Sequence, residues 1–171
     1  MKTINILIFW LIAFSSLAQN SPADAIFNKY SDLEGFTTIR ISKYMFSLFA
    51  NDEAKKDKDD FAKAMSGIES IRILSVSDSV LNTKINLYKE LIKDFPLNKY
   101  KEMMSIKEKN KDVKMLIREE KGKILEFLMI GGGESNFVIC ISGNIDLASI
   151  KKLSKSMDIE GLENADKLDN K

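Results

Sequence analysis

Residues 100–142 read YKEMMSIKEKNKDVKMLIREEKGKILEFLMIGGGESNFVICIS, and this stretch decides the fold. It divides into four strand-length runs, Tyr100 to Glu108, Val113 to Glu120, Lys123 to Ile130 and Asn136 to Ser142. The joints are short and made of turn formers: Lys109-Asn-Lys-Asp112, Lys121-Gly122 and Gly131-Gly-Gly-Glu-Ser135. Strands joined so tightly pair antiparallel, because a parallel neighbour needs a crossover of a dozen residues or more. The run therefore predicts a four-stranded meander. Its last two strands are apolar on both sides, with Ile124, Leu125, Phe127, Leu128, Met129 and Ile130 in one and residues 137–141 in the other. Such strands need cover on both faces and belong near the middle of the sheet.

Upstream, helical and strand patterns alternate. Ile26, Phe27 and Tyr30 have helical spacing within Asp24 to Asp32, and Gly35 separates them from the β-branched run Phe36 to Ile41. Tyr44, Met45, Leu48 and Phe49 repeat like one face of a second helix. Residues 51–60, NDEAKKDKDD, are nearly all charged and read as a solvated loop or helix end; they lack the glycine turn and twelfth-position glutamate of a calcium loop. A short helix, Phe61 to Met65, ends at Gly67 before a second strand, Glu69 to Ser75. The Ile-Arg-Ile centre of this strand repeats that of the first. Ile85, Tyr88, Leu91, Ile92 and Phe95 share a face of one long predicted helix, Ser79 to Phe95, which Pro96 closes. Beyond the meander, Asp146 is placed to cap a last helix running through Met157. Helices early and consecutive strands late indicate an α+β fold: a single, largely antiparallel sheet of about six strands with helices packed on one face.

The chain ends carry different signals. Lys2, an apolar run from Ile6 to Phe14 and the small-residue site Ser16-Leu17-Ala18 have the pattern of a secretory leader, so residues 1–18 are expected to be a signal peptide. The apolar run is shorter than the roughly 20 residues a membrane helix needs. Residues 19–157 are expected to form one domain, and the polar segment 158–171 a disordered tail. Without Lys2 the 26 basic residues fall to 25, against 25 acidic ones. That balance argues against nucleic acid, whose binding rests on neutralising many phosphates. Cys140 is the single cysteine, which excludes an intramolecular disulfide; within the apolar run 137–141 it reads as a buried structural thiol. The chain has no histidine, so Ser-His-Asp and Cys-His catalysis and the usual zinc sites are excluded, and no cofactor is expected.

The segments GFTTIRISKYMFSLF (35–49), IRILS (71–75), YKEMMSIKEKNKDVKMLIREEKGKILEFLMIGGG (100–133) and ISGNIDLASIKKLSKSM (141–157) resemble, in combination, the domain of unknown function 4252 family. The resemblance covers nearly the whole chain after the leader. It implies a small exported protein of the Gram-negative envelope, periplasmic or secreted, with no assigned enzyme activity and no catalytic residues to carry over.

Three arginines stand out, because every other basic residue is a lysine: Arg40, Arg72 and Arg118, each preceded by isoleucine in a predicted strand. Period-two alternation sets Arg40 opposite to Ile39 and Ile41, Arg72 opposite to Ile71 and Ile73, and Arg118 opposite to Val113, Met115 and Ile117. All three are expected on an open sheet face, where guanidiniums can clamp a carboxylate or phosphate or dock a protein. The plainer reading pairs them across strands with Glu69, Glu119, Glu120 or Glu126. Gly131-Gly-Gly133 suggests a flexible hairpin turn, or less simply an anion-binding nest. Ser149-Ile-Lys-Lys152 matches the S-x-x-K pattern of serine acyl-transfer enzymes without its companion motifs. Lys151, Lys152 and Lys155 are expected on the exposed side of the predicted last helix or, less simply, against anionic lipid. The leading expectation is a non-enzymatic interaction module that binds an envelope protein or small anion through Arg40, Arg72 and Arg118. The alternative is a hydrolase or transferase using Ser149 and Lys152.

Overall fold

The computed structural model describes residues 21–50 and 65–146. The expected leader, the 51–60 run, the Ser149–Lys152 pair, the lysines of the last helix and the 158–171 tail lie outside them. The elements in chain order are α1 (Asp24–Tyr30), β1 (Phe36–Ser42), α2 (Lys43–Ala50), β2 (Ile68–Val76), α3 (Ser79–Lys84) and α4 (Leu87–Lys93). A 3-10 turn at Leu97–Lys99 then leads into β3 (Lys101–Lys107), β4 (Lys111–Glu120), β5 (Lys123–Gly133) and β6 (Phe137–Ile145).

The strands form one six-stranded sheet in the order β1-β2-β6-β5-β4-β3, with every pairing antiparallel. The α+β architecture and the β3–β6 meander expected from residues 100–142 are present. The doubly apolar strands β5 and β6 occupy the centre. Successive β5 residues alternate between two buried clusters. Phe127 and Met129 join Ile71, Ile73, Met115, Ile139 and Ile141 on one face; Leu128 and Ile130 join Leu74, Leu116 and Val138 on the other. Full burial of such a side chain contributes about 1.5–3 kcal/mol, so each of these central residues matters to stability.

The second face is covered by α1 through Ile26, Phe27 and Tyr30, and by α4 through Leu87 and Leu91. The intervening α2 instead sends Phe46 to the first face. The helix expected from this spacing is present, with Tyr44, Met45 and Leu48 exposed and Phe46 buried.

Two local expectations are corrected. The long helix over residues 79–95 breaks at Ile85 and Asn86, both extended (φ −120°, ψ 160° and φ −142°, ψ 95°). Asn86 restarts the helix as its cap, accepting from the Lys89 amide at 2.9 Å. The buried Asn136 Oδ1 accepts the next orphan amide, that of Leu87, at 2.8 Å. The second correction follows from the first. Gly131, Gly132 and Gly133 are not a turn but the end of β5, paired with Val113, Asp112 and Lys111. Asn86 and Tyr88 sit so close to the sheet here that a β-carbon on Gly132 would lie 2.4 Å from Asn86 Oδ1 and 2.6 Å from Tyr88 Cβ. Gly132 thus admits α4 to the sheet, and because all three glycines lie in the ladder they do not form the anion nest. The turn between β4 and β5 is the expected one, with Lys121 and Gly122 both at positive φ (52° and 77°).

Candidate functional site

The three arginines do share a face, as their alternation requires. Arg40 and Arg72 stand directly opposite each other across the β1–β2 ladder, with Ile39 against Ile73 and Ile41 against Ile71. The repeated Ile-Arg-Ile centres are thus antiparallel partners. Arg118 lies on β4, three strand positions from β2, or roughly 14 Å at about 4.8 Å per strand. The three guanidiniums therefore form no single clamp.

The open face expected around them is also absent, because theirs is the face covered by α1 and α4. Alternation tells which side chains share a side; it does not tell which side the helices choose. Arg72 Nη1 meets Asp24 Oδ1 of α1 at 2.6 Å, and its guanidinium lies 4.6 Å from the centre of the Phe27 ring. Arg72 is therefore part of the α1 attachment. Arg118 takes the cross-strand pairing: its Nε is 3.4 Å from Glu126 Oε2, and its Nη1 is 3.0 Å from Glu120 Oε1. Glu126 faces Arg118 in the ladder and is 2% exposed.

Around Glu126 a buried polar group is assembled from distant parts of the chain. Ser21 Oγ donates to Oε1 at 2.5 Å, Tyr100 hydroxyl to Oε2 at 3.0 Å, and Cys140 Sγ to Oε1 at 3.5 Å. Arg72 Nη2 in turn donates to Cys140 Sγ at 3.4 Å, linking two of the three arginines through the thiol. Burial, followed by the nearby Glu126 charge, pushes the Cys140 thiol up to about 11. The same two causes raise the Tyr100 hydroxyl. A protonated, buried thiol is a weak nucleophile, as the sequence reading of Cys140 holds. The group's chemistry is cohesive: a carboxylate with four donors on it, holding the chain ahead of α1 against the sheet. Ser21, Asp24 and Tyr100 gave no sequence signal for this role. Glu126 did, as the one acid inside the apolar run ILEFLMI.

Arg40 is different. It is exposed, and among the described residues its guanidinium has a hydroxyl for partner, Ser31 Oγ at 2.9 Å. It borders an open groove of about 580 Å³ lined by Arg40, Ile41, Ser42, Tyr44, Met45 and Leu48. Tyr44 is 72% exposed, Leu48 70%, Met45 47% and Ile39 43%, a run of apolar surface along the edge strand and the helix after it. The groove owes its shape to α2 following β1 without a loop, so that burying Phe46 turns its neighbours outward.

Among the described residues no group of three or more potential metal ligands occurs, and no helix is long and apolar enough to cross a membrane. No curated protein and no solved structure matches the chain. Residues 30–153 match a family described as a domain of unknown function (DUF4252), a span running from the end of α1 through all six strands and beyond. The chain belongs to the DUF4252 family.

Proposed function

We propose that this is a non-enzymatic interaction domain of an exported envelope protein, and that it engages its partner at the edge formed by β1 and α2. The observation that carries this reading is the open groove that Arg40 shares with the exposed Tyr44, Met45 and Leu48, with Ile39 exposed on the same edge strand. Apolar side chains exposed together, with a charged group among them, are what a protein-binding surface presents. The groups with chemical reactivity point the same way, since Cys140 and Glu126 are buried and engaged with each other. Of the three arginines, Arg40 is the one positioned to meet a partner; Arg72 and Arg118 hold the fold. Export rests on the leader pattern of residues 1–18.

The test is a pull-down from envelope extract with residues 19–171, run beside a Met45→Ser/Leu48→Ser variant shown by circular dichroism to be folded. A protein held by the native chain and lost by the variant supports the reading. A protein held equally by both sinks it.

A further inference from the structure

We infer that the occupant of this edge is an extended peptide segment in which an acidic residue stands between two apolar ones, added as a further strand alongside β1. The inference rests on the docking edge proposed above and specifies its ligand.

The backbone of β1 is ready to accept a strand. It pairs with β2 in unbroken register from Phe36↔Val76 to Ser42↔Ser70, without a bulge. Outside that ladder, residues 37–42 have no backbone hydrogen-bond partner among the described residues. A regular strand with no outer partner among the described residues is a template for strand addition, where main-chain bonds give affinity and alternate side chains give specificity.

The side chains then dictate the sequence of the added strand. In the β1–β2 ladder Arg40 faces Arg72, an unfavourable like-charge pair. Asp24 neutralises Arg72 from α1; Arg40 has the Ser31 hydroxyl. A strand on the outer side of β1 sets one side chain directly opposite Arg40, and a carboxylate there supplies the counter-charge that β2 does not. The residues before and after this acid point to the other side of the sheet, towards Ile39 and Ile41 and the groove of Met45 and Leu48. They must be apolar. The ligand pattern is thus apolar–acid–apolar, the complement of Ile39-Arg40-Ile41. A second copy of β1 does not satisfy it. The residues of FTTIRIS on the Arg40 side are Phe36, Thr38, Arg40 and Ser42, so self-pairing brings no acid opposite Arg40.

Fluorescence polarisation with labelled peptides STVEVTS, STVQVTS and STVKVTS tests this on residues 19–171. The native protein should bind the glutamate peptide about tenfold more tightly than the glutamine one, as loss of one charge-assisted contact implies. The lysine peptide should bind most weakly. Arg40→Glu should reverse the order of the glutamate and lysine peptides, and Ile39→Lys should abolish binding of all three. Equal binding of the glutamate and glutamine peptides, lost in Ile39→Lys, overturns the acid requirement and leaves the docking edge standing. No binding at millimolar peptide, while the envelope partner is still lost with Met45→Ser/Leu48→Ser, overturns strand addition alone. Peptide binding that Ile39→Lys does not weaken overturns both the inference and the edge. A sedimentation-detected dimer that Ile39→Lys dissolves overturns the inference by making a second copy the occupant.

Discussion

The two edges of the sheet are built to opposite plans. At the β3 edge, Lys101, Glu102 and Lys107 are exposed, and the register slips by a bulge between Glu102 and Met104. Lys101 reaches Glu119 at 2.9 Å and Glu102 receives Lys114 at 2.7 Å, so charges are laced across the outer strands. Lysines and bulges are the usual means of keeping a second chain from pairing with an edge. At the β1 edge the register is regular, and the strand FTTIRIS carries one charge. The arginines follow the same division. On the β3 side Arg118 is sealed against Glu126 and 17% exposed, whereas on the β1 side Arg40 is open. The β3 edge is laced into the fold by its charges, whereas the β1 edge has no outer strand partner among the described residues, and of the arginines Arg40 alone stands outside the cohesive contacts that Arg72 and Arg118 make.

The largest way to break the contrast is to unseal the closed half. Glu126→Ala leaves Arg118 without its buried partner and frees the Tyr100 and Ser21 hydroxyls. The expected cost is about 3–5 kcal/mol in urea unfolding, the range for breaking a buried ion pair. An Arg118→Met/Glu126→Leu double variant should recover much of that loss, since both charges of the pair are then replaced by apolar groups. If Glu126→Ala proves as stable as the native protein, the buried group is not what holds this half together.

A second test uses pH. Burial and the Glu126 charge raise the folded thiol of Cys140 to about 11 from an ordinary value of 9.0. A raised folded pKa means that the contribution is whole below the unfolded value and is lost as pH rises through the folded one. Stability should therefore fall between pH 9.0 and about 11, by an amount on the order of 2 kcal/mol. Cys140→Ala should remove that part of the decline. Urea midpoints across this range decide it, and an unchanged slope in Cys140→Ala would assign the decline to other groups.

Much of this contrast was legible in residues 100–142 and in the Ile-Arg-Ile repeats, because strand alternation is a local property. The doubly apolar runs of β5 and β6 located the centre of the sheet, and the spacing of Arg40, Arg72 and Arg118 put them on one face. What stayed hidden depends on contacts distant in sequence. Asp24 reaches Arg72 and Ser21 reaches Glu126 only once the chain has closed, and these contacts turn an expected open face into a covered one. The break at Ile85 and Asn86 was masked because Ile85, Tyr88 and Ile92 keep helical spacing across it; the cap that restarts the helix involves Asn136, on the far side of β5. The spacing of Tyr44, Met45 and Leu48 predicts the helix α2 but not the side it buries. Tyr44, Met45 and Leu48 have the periodicity of a buried stripe, and periodicity does not distinguish a stripe that packs inside from one that waits for a partner.

Smaller effects separate the two opposed arginines. Arg72→Ala removes an ion pair to Asp24, a cation–π contact with Phe27 and a donor to Cys140 from a partly buried site. A loss of about 1–2 kcal/mol is expected in urea unfolding. A change below about 0.5 kcal/mol, the range of ordinary surface substitutions, would mean that α1 is held by its apolar contacts alone.

Arg40→Ala should go the other way. Its guanidinium is exposed, bonds a hydroxyl, and faces Arg72 across the ladder, so its removal takes away more repulsion than attraction. The expected result is no loss, or a gain of a few tenths of a kcal/mol. The gain should grow in an Asp24→Asn background, where Arg72 has lost its neutralising partner and feels Arg40 more strongly. That coupling, read from a double-mutant cycle in urea, is specific to two opposed charges and would not arise if Arg40 acted only through its aliphatic stem. A residue whose removal leaves the fold as stable or more so, while peptide binding at the same edge falls, is retained for what it meets and not for what it holds. Should Arg40→Ala instead cost as much as Arg72→Ala, the guanidinium belongs with the groups that hold the fold, and the division between the two edges fails at the residue that defines it.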